Sequence, residues 1–280
     1  MPLPTSRRAP YRSILAAIVM VPLWLAGCAT PPPASDPDAL AEFKETNDPL
    51  EPTNRVFYAI NNGIDTVILR PLAIAYRAVL PETVREHTHN VLNNLGTPVQ
   101  LFNDILETKP RRAGDTLMRL LLNTTVGVGG VFDVATPLGW PNHEADGGIT
   151  LALWGIPNGP YLFLPVFGPS SPREAAGSGV DYVVNPLSWI GKGNTVNLLG
   201  YARYGVGALD ARSRVLDDLD KVKANALDPY ATIRSLYRQH RESTIEEARD
   251  ADDATIPAWF PQPVKPAGGS QTGASGASKP

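Results

Sequence analysis

One cysteine in 280 residues, Cys28, leaves no partner for a disulfide within the chain and no thiolate pair for a zinc site. Histidine is nearly as scarce. Of the four present, His87 and His89 stand two apart, which on a helix turns them to different faces, and His143 and His240 lie far off in sequence. They read as solvated helix-face residues, no metal ligand is assigned, and Glu144 with Asp146 reads as an acidic turn rather than a cation site. Catalytic signatures are missing too. Ala176-Gly177-Ser178-Gly179 lacks the first glycine of a nucleophile elbow, and Phe132 stands where Gly127 and Gly129 would need a third glycine for a dinucleotide fingerprint. Turns and small-residue packing account for both, so no catalytic residue, no cofactor and no enzymatic activity are expected.

Positive charge and long apolar runs are also in short supply. Lys and Arg number 25 against 28 Asp and Glu, a net charge of −3, which excludes the basic face of a nucleic-acid binder. Charged residues make up 19%, below the usual quarter or so for a soluble domain, while 43% hydrophobic residues are enough for one core of about 200 residues. Beyond Cys28 no stretch approaches the roughly 18 apolar residues of an ordinary transmembrane helix. Contact with a membrane would therefore fall to amphipathic elements.

What the N-terminus does contain is specific. Arg7, Arg8 and Arg12 precede an apolar stretch from Ile14 to Leu25, and no acidic residue occurs before Cys28. This is the pattern of a secretory signal. Its end, Leu25-Ala26-Gly27-Cys28, resembles the bacterial lipobox, which implies cleavage before Cys28 and acylation of that residue. Two or three acyl chains meet the physical requirement for stable anchoring that one chain does not. Ala29 rather than Asp follows, which by the same resemblance sends the lipoprotein to the outer membrane. Cleavage removes three arginines and leaves 22 Lys and Arg, a net charge of −6. Residues 1–27 are thus assigned as signal peptide, 28–46 as acylated cysteine and Pro-rich tether, 47–250 as one helical domain, and 251–280 as a disordered Pro/Gly/Ser-rich tail.

Within 47–250 the helical signals are strong at first. Asp48-Pro49-Leu50-Glu51 reads as a capping box, with Asp48 as N-cap and Glu51 returning. Phe57, Ile60, Ile64 and Val67 follow at helical spacing, Pro71 breaks or restarts this run, and Leu72, Tyr76, Val79 and Leu80 mark one apolar face up to Pro81. A helix over Glu82 to Asn94 should stop at Gly96, with another opening at Pro98 and running to Leu106. A fourth starts at Lys109-Pro110, burying Leu117, Leu120, Leu121 and Thr124 and exposing Arg111, Arg112, Asp115 and Arg119. From Gly127 to Gly179 glycine, proline and aromatics crowd together. Gly155 to Pro160 must turn there, while Ile149 to Leu153 and Tyr161 to Val166 are short apolar runs of ambiguous type. Either an irregular core connection or a mobile hairpin suited to acyl chains fits this composition. Helix returns over Ala202 to Ala226 and again after Asp228-Pro229.

The ordered set of motifs resembles the VacJ/MlaA lipoprotein family. It comprises Asp48-Pro49-Leu50-Glu51-x-x-Asn54-Arg55, Arg70-Pro71-x-Ala73, Asn90-x-x-x-Asn94, and Arg119-x-x-x-Asn123 followed by Gly127-x-Gly129-Gly130-x-x-Asp133. The centre adds Thr150-Leu151-x-x-Trp154-Gly155-x-x-x-Gly159-Pro160-Tyr161 with Leu164-Pro165 and Gly168, and the last helical region adds Asp228-Pro229-Tyr230. The likeness covers roughly residues 47 to 242. It implies a mainly α, single-domain ring of amphipathic helices around a polar channel, oily outside and polar inside, lying in the inner leaflet of the outer membrane. It also implies trimeric porin partners, a soluble periplasmic carrier that receives phospholipid, and the upkeep of lipid asymmetry without covalent chemistry. A structural lipoprotein that scaffolds porins without moving lipid is the competing class. The family's gate maps onto the hairpin around Gly147 to Gly168, with Gly155, Gly159, Pro160 and Gly168 as hinge positions. Asn54, Arg55, Arg70, Asn123 and Asp133 match family positions and are either channel-lining or structural hydrogen-bonding residues. Asp146-Gly147-Gly148 departs from the family's frequent aromatic before the glycine, and Arg173-Glu174 replaces a frequent Arg-Asp.

Overall fold

Proline sets the rhythm of the helices, because it fits the first turn, where no amide donor is needed, and nowhere else without compensation. A computed structural model describes residues 46–189 and 194–250, with residues 32, 33, 35, 36, 40 and 43 before them, and side chains of the later stretch from 200 onward. Cys28, the signal peptide and the tail from 251 lie outside the described residues. Helix α1 spans Glu51–Ile64 and passes through a π-helical turn, Asp65–Leu69, into α2, Arg70–Val79. Pro71 thus does not break the run. The Arg70 amide reaches back five residues to the Asp65 carbonyl, a wider turn that helps accommodate a residue with no N–H to give. Helix α3 runs unbroken over Glu82–Leu106 with Pro98 inside it, so the stop expected at Gly96 does not occur. Thr97 turns its hydroxyl back to the Asn93 carbonyl at 3.1 Å instead of capping a new helix.

Helix α4, Pro110–Thr125, begins at the expected proline. The ambiguous middle then resolves into short elements. A 3-10 turn at Thr136–Leu138 leads to α5, Gly147–Leu153, and to an antiparallel hairpin of β1, Leu162–Leu164, and β2, Gly168–Ser170, paired Leu162 to Ser170 and Leu164 to Gly168. Helix α6, Pro172–Val184, follows, then α7, Asn194–Arg214, α8, Leu216–Asn225, and α9, Pro229–Asp250. The fold is mainly α, and no helix among the described residues is long and apolar enough to cross a membrane.

Packing follows the inverse of the usual rule. In α4 the buried positions are Arg112, Ala113, Thr116, Arg119 and Asn123, while Leu117 and Leu121 face out at 43% and 50% exposure. The assignment of Arg112 and Arg119 to the exposed face is therefore reversed, both being 6% exposed. The same holds along α1, α2 and α3. Ile60, Val67, Leu72, Val79 and Val84 are exposed, and Asn54, Asp65, Asn94 and Asp104 are buried. Periodicity finds the two faces of a helix correctly but assumes that the oily one turns inward. Apolar burial concentrates instead in one aromatic knot of Tyr161, Phe163 and Tyr230, with Phe57, Tyr58 and Tyr237 against it. Tyr58 meets Phe163 edge-on, with ring centroids 5.6 Å apart.

Helices α5 and α6 cross at glycine. A methyl group on Gly147 would strike the Gly177 backbone, and one on Gly177 would strike Gly147 and Gly148 in return. The glycines of Asp146-Gly147-Gly148 thereby gain a packing role, since an aromatic at 147 has no room. Gly177→Ala is expected to destabilise the protein by about 1–3 kcal/mol, the usual cost of overpacking. Gly179→Ala, on the same helix but in open space, should be neutral or slightly stabilising. Denaturant titration of the detergent-solubilised protein distinguishes the two.

Candidate functional site

A polar interior survives only if its charges are met, and the buried aspartates Asp48, Asp65, Asp104 and Asp210 are each bound by donors. Asp104, with none of its surface exposed, accepts from Thr116 and lies 3.0 Å from His143 Nε2 and 3.6 Å from Arg112 Nε. Asp65 binds Arg212 at 2.6 Å and Lys223 at 2.7 Å. Burial pushes the Asp65 carboxyl up, but these hydrogen bonds outweigh it and hold the group below the usual carboxylate range. Asp210 is bound by His89 at 2.8 Å and Arg214 at 3.1 Å. His87, at 3.0 Å from the Val131 carbonyl, stacks edge-on against Phe132. His87, His89 and His143 are thus bonded, half-buried residues rather than solvated ones; only His240 is well exposed. Among the described residues no group of His, Cys, Asp and Glu is arranged to hold a metal ion.

A cavity of about 550 Å³ opens between α3, the 142–146 segment, α6 and α7. Asn93 and Gln100 of α3 face it from one side, Ser178 and Asp181 of α6 from another, and Arg203 and Tyr204 of α7 from a third. Its walls are tied from behind by a chain of hydrogen bonds. Thr150 donates toward Glu107 and Asn103, Asn103 donates to Asp181 at 2.8 Å, and Asp181 accepts the Gly147 amide at 3.0 Å. Asp146 caps α5 through the Ile149 amide and is held by Arg241, which also binds Glu174. The Arg173-Glu174 departure is accommodated here. Glu174 reaches both Arg241 and Arg173, and Arg173 reaches the Ile156 carbonyl at 3.4 Å.

The hairpin is fastened to α1 by two asparagines. Asn54 donates to the Tyr161 carbonyl at 3.0 Å and accepts the Phe163 amide at 2.9 Å, so its side chain completes β1 as a neighbouring strand would. Asn61, two helical turns on, does the same for Leu164 and Val166. Asn61 was not singled out from the sequence, although its seven-residue spacing from Asn54 was the available signal. Gly155, Gly159 and Gly168 all take positive φ, at 84°, 74° and 82°. Gly155 ends α5 in a Schellman cap, with the Ile156 amide bonded to the Leu151 carbonyl. Pro160 stands between Gly159, whose carbonyl Asn47 holds, and Tyr161, whose amide binds the Asn47 carbonyl. The turn beyond projects Val166 and Phe167 into the surroundings, at 73% and 85% exposure.

None of Asn54, Arg55, Arg70, Asn123 and Asp133 lines the cavity. Arg55 bridges Glu51 and Asp228 across α1 and α9, and Arg70 bonds Asp220 of α8. Asn123 accepts the Val134 and Ala135 amides and donates to Asp133, which Arg119 and Thr136 also bind. Asp48, expected as N-cap, does not cap α1: Leu50 stands at that position with no side-chain bond. The Asp48 carboxylate is buried and held by Asn54, Tyr230 and Arg234. Asp228 does cap α9, through the Ala231 amide. The motif residues therefore converge, but on joints between elements.

These features define a helical protein with aliphatic side chains outward, paired charges inward and a polar cavity opening between helices. The chain belongs to the MlaA lipoprotein family, whose model matches residues 46–244. It is 36% identical over 203 residues to an uncharacterised protein of Rickettsia felis, covering 72% of this chain and 79% of that one. It is 31% identical over 235 residues to the "Intermembrane phospholipid transport system lipoprotein MlaA" of Escherichia coli, covering 81% and 87% respectively. A solved structure described as "Structural basis for maintenance of bacterial outer membrane lipid asymmetry" superposes with a TM-score of 0.63 at 31% identity, covering 71% of this chain and 98% of that one.

Glu107 supplies a pH test of the interior. Burial pushes its carboxyl up from the usual 4.5 to about 7, with Asp104 adding to the rise and Arg112 and Thr150 opposing it. The folded state thus holds a proton more tightly than the unfolded state. Glu107's contribution is fully present below about 4.5 and is lost as pH rises through about 7. Glu107→Gln should flatten the fall in stability between pH 5 and 8. A fall of unchanged steepness would show that other groups cause it.

Proposed function

We propose that the chain removes mislocalised phospholipid from the outer leaflet of the outer membrane and passes it to a soluble periplasmic carrier, so preserving lipid asymmetry. The observation that carries this reading is the polarity of α4, with Arg112, Thr116, Arg119 and Asn123 inside and Leu117 and Leu121 outside. A charged headgroup crossing hydrocarbon meets a high barrier without a polar path. Helices with oily outer faces and a polar inner surface lower it while lying in a leaflet. The names of the E. coli and Haemophilus influenzae relatives, both intermembrane phospholipid transport lipoproteins, support the same activity.

In this account Cys28 carries the acyl chains that deliver the domain to the outer membrane, on its periplasmic side, and a trimeric porin is its neighbour there. The 550 Å³ cavity forms part of the lipid path. The hairpin acts as its gate, turning at Gly155, Gly159, Pro160 and Gly168, where the positive φ of the glycines already concentrates the turns. Asn54, Arg55, Arg70, Asn123 and Asp133 keep the surrounding helices in register rather than touching lipid. The cycle needs no covalent step.

Two strains test the reading. Loss of the gene should raise the phospholipid content of the outer leaflet, and the wild-type chain should restore it. Unchanged asymmetry with disturbed porin organisation would establish the scaffold instead. A Cys28→Ser chain should mislocalise and fail to complement, and full complementation by it would make the anchor dispensable.

A further inference from the structure

The cavity has walls of opposite charge. Arg203 on α7 is the one arginine or lysine among its described lining residues, and Glu144, Asp146 and Asp181 supply carboxylates. Two of these are already engaged. Asp146 is bound by Arg241 at 2.8 and 3.0 Å, and Asp181 accepts from Gly147 and Asn103. Among the described residues the Glu144 carboxylate is paired only with His240, at 3.7 Å, and both side chains are more than half exposed. Arg203 meets no carboxylate among the described residues. Its guanidinium lies 5.7 Å from the Tyr204 ring centroid, a distance at which the ring face steadies a cation without neutralising it. Among the described residues the cavity therefore presents one cation without a carboxylate partner and one weakly engaged anion, in a volume typical of small-molecule sites.

We infer that Arg203 and Glu144 together select a zwitterionic aminophospholipid headgroup, the phosphate meeting Arg203 and the primary ammonium meeting Glu144. A guanidinium suits phosphate because its fork of N–H donors matches two phosphate oxygens. The ammonium placed a few bonds beyond then meets the Glu144 carboxylate, in a cavity whose lining also includes Asp146 and Asp181. An anionic glycerol headgroup satisfies Arg203 equally well. It brings no cation for Glu144, however, and its net negative charge is repelled by that carboxylate. The inference rests on the proposal that lipid passes through this cavity, and it adds the class of headgroup that does so.

The test titrates the purified, full-length acylated protein in detergent with dihexanoyl phosphatidylethanolamine and dihexanoyl phosphatidylglycerol. The ethanolamine lipid should bind tighter by roughly 1.5- to fivefold, the range that a solvent-accessible ion pair supplies. Glu144→Gln should abolish that preference while leaving the glycerol lipid's affinity unchanged or improved. Arg203→Gln should weaken both lipids, and Arg203→Lys, which keeps the charge without the fork, should recover only part of the loss. Unchanged thermal unfolding of each variant separates these effects from misfolding. Equal binding of the two lipids by the wild type, or a preference that survives Glu144→Gln, overturns the headgroup assignment and leaves the transport reading standing. Binding indifferent to Arg203→Gln overturns the headgroup assignment as well, and binding of neither lipid overturns the lipid path through this cavity.

Discussion

A carboxylate withdrawn from water must be met by donors, and the interior of this protein is organised around that requirement. Asp48, Asp65, Asp104 and Asp210 are each nearly or wholly buried, and each is held by side chains from other elements. Asp65 joins the α1–α2 junction to Arg212 of α7 and Lys223 of α8, and Asp48 joins the hairpin's neighbour Asn54 to Tyr230 and Arg234 of α9. Such pairs add little net stability over an apolar core, but removing one partner strands the other in a place it cannot tolerate. Direction is therefore what they supply. Polar groups that need one another point inward, and the aliphatic faces are left to whatever surrounds the molecule.

That arrangement explains which parts of the fold were legible in the sequence. Helix positions followed from spacing and proline: α4 and α9 start at the expected Pro110 and Pro229. The amphipathic faces were also visible. What spacing cannot reveal is which face is inside, because the rule that apolar means buried presumes water outside. Arg112 and Arg119 were misassigned for that reason, and only the family resemblance pointed to an oily exterior. Breaks were overcounted as well. Pro71 and Pro98 both lie within continuing helix, the first beside a π-helical turn and the second after Thr97 and its bond to Asn93.

The site was legible only in part. The glycines of the central signature stand at turns, but the cavity draws its walls from α3, the 142–146 segment, α6 and α7, elements spread over more than a hundred residues of chain. Arg203 and Glu144 lie outside the signature motifs; Glu144 with Asp146 reads in sequence only as an acidic turn, and nothing in its immediate neighbours marks Arg203. The clamps Asn54 and Asn61 show the converse. Each serves backbone more than a hundred residues away, a pairing that a single sequence does not disclose. The hairpin joins these two regimes, with its strands tied to α1 and its tip, Val166 and Phe167, left bare.

Inverted polarity is the claim on which everything else depends. It is measured most directly by spin labels placed singly at outward positions such as Val67, Leu121 and Val126 and at cavity positions such as Asn93 and Ser178, in the protein reconstituted in lipid. Outward labels should relax with dissolved oxygen, which concentrates in hydrocarbon, and cavity labels with a water-soluble nickel chelate. Outward labels exposed to the chelate and shielded from oxygen would contradict the account.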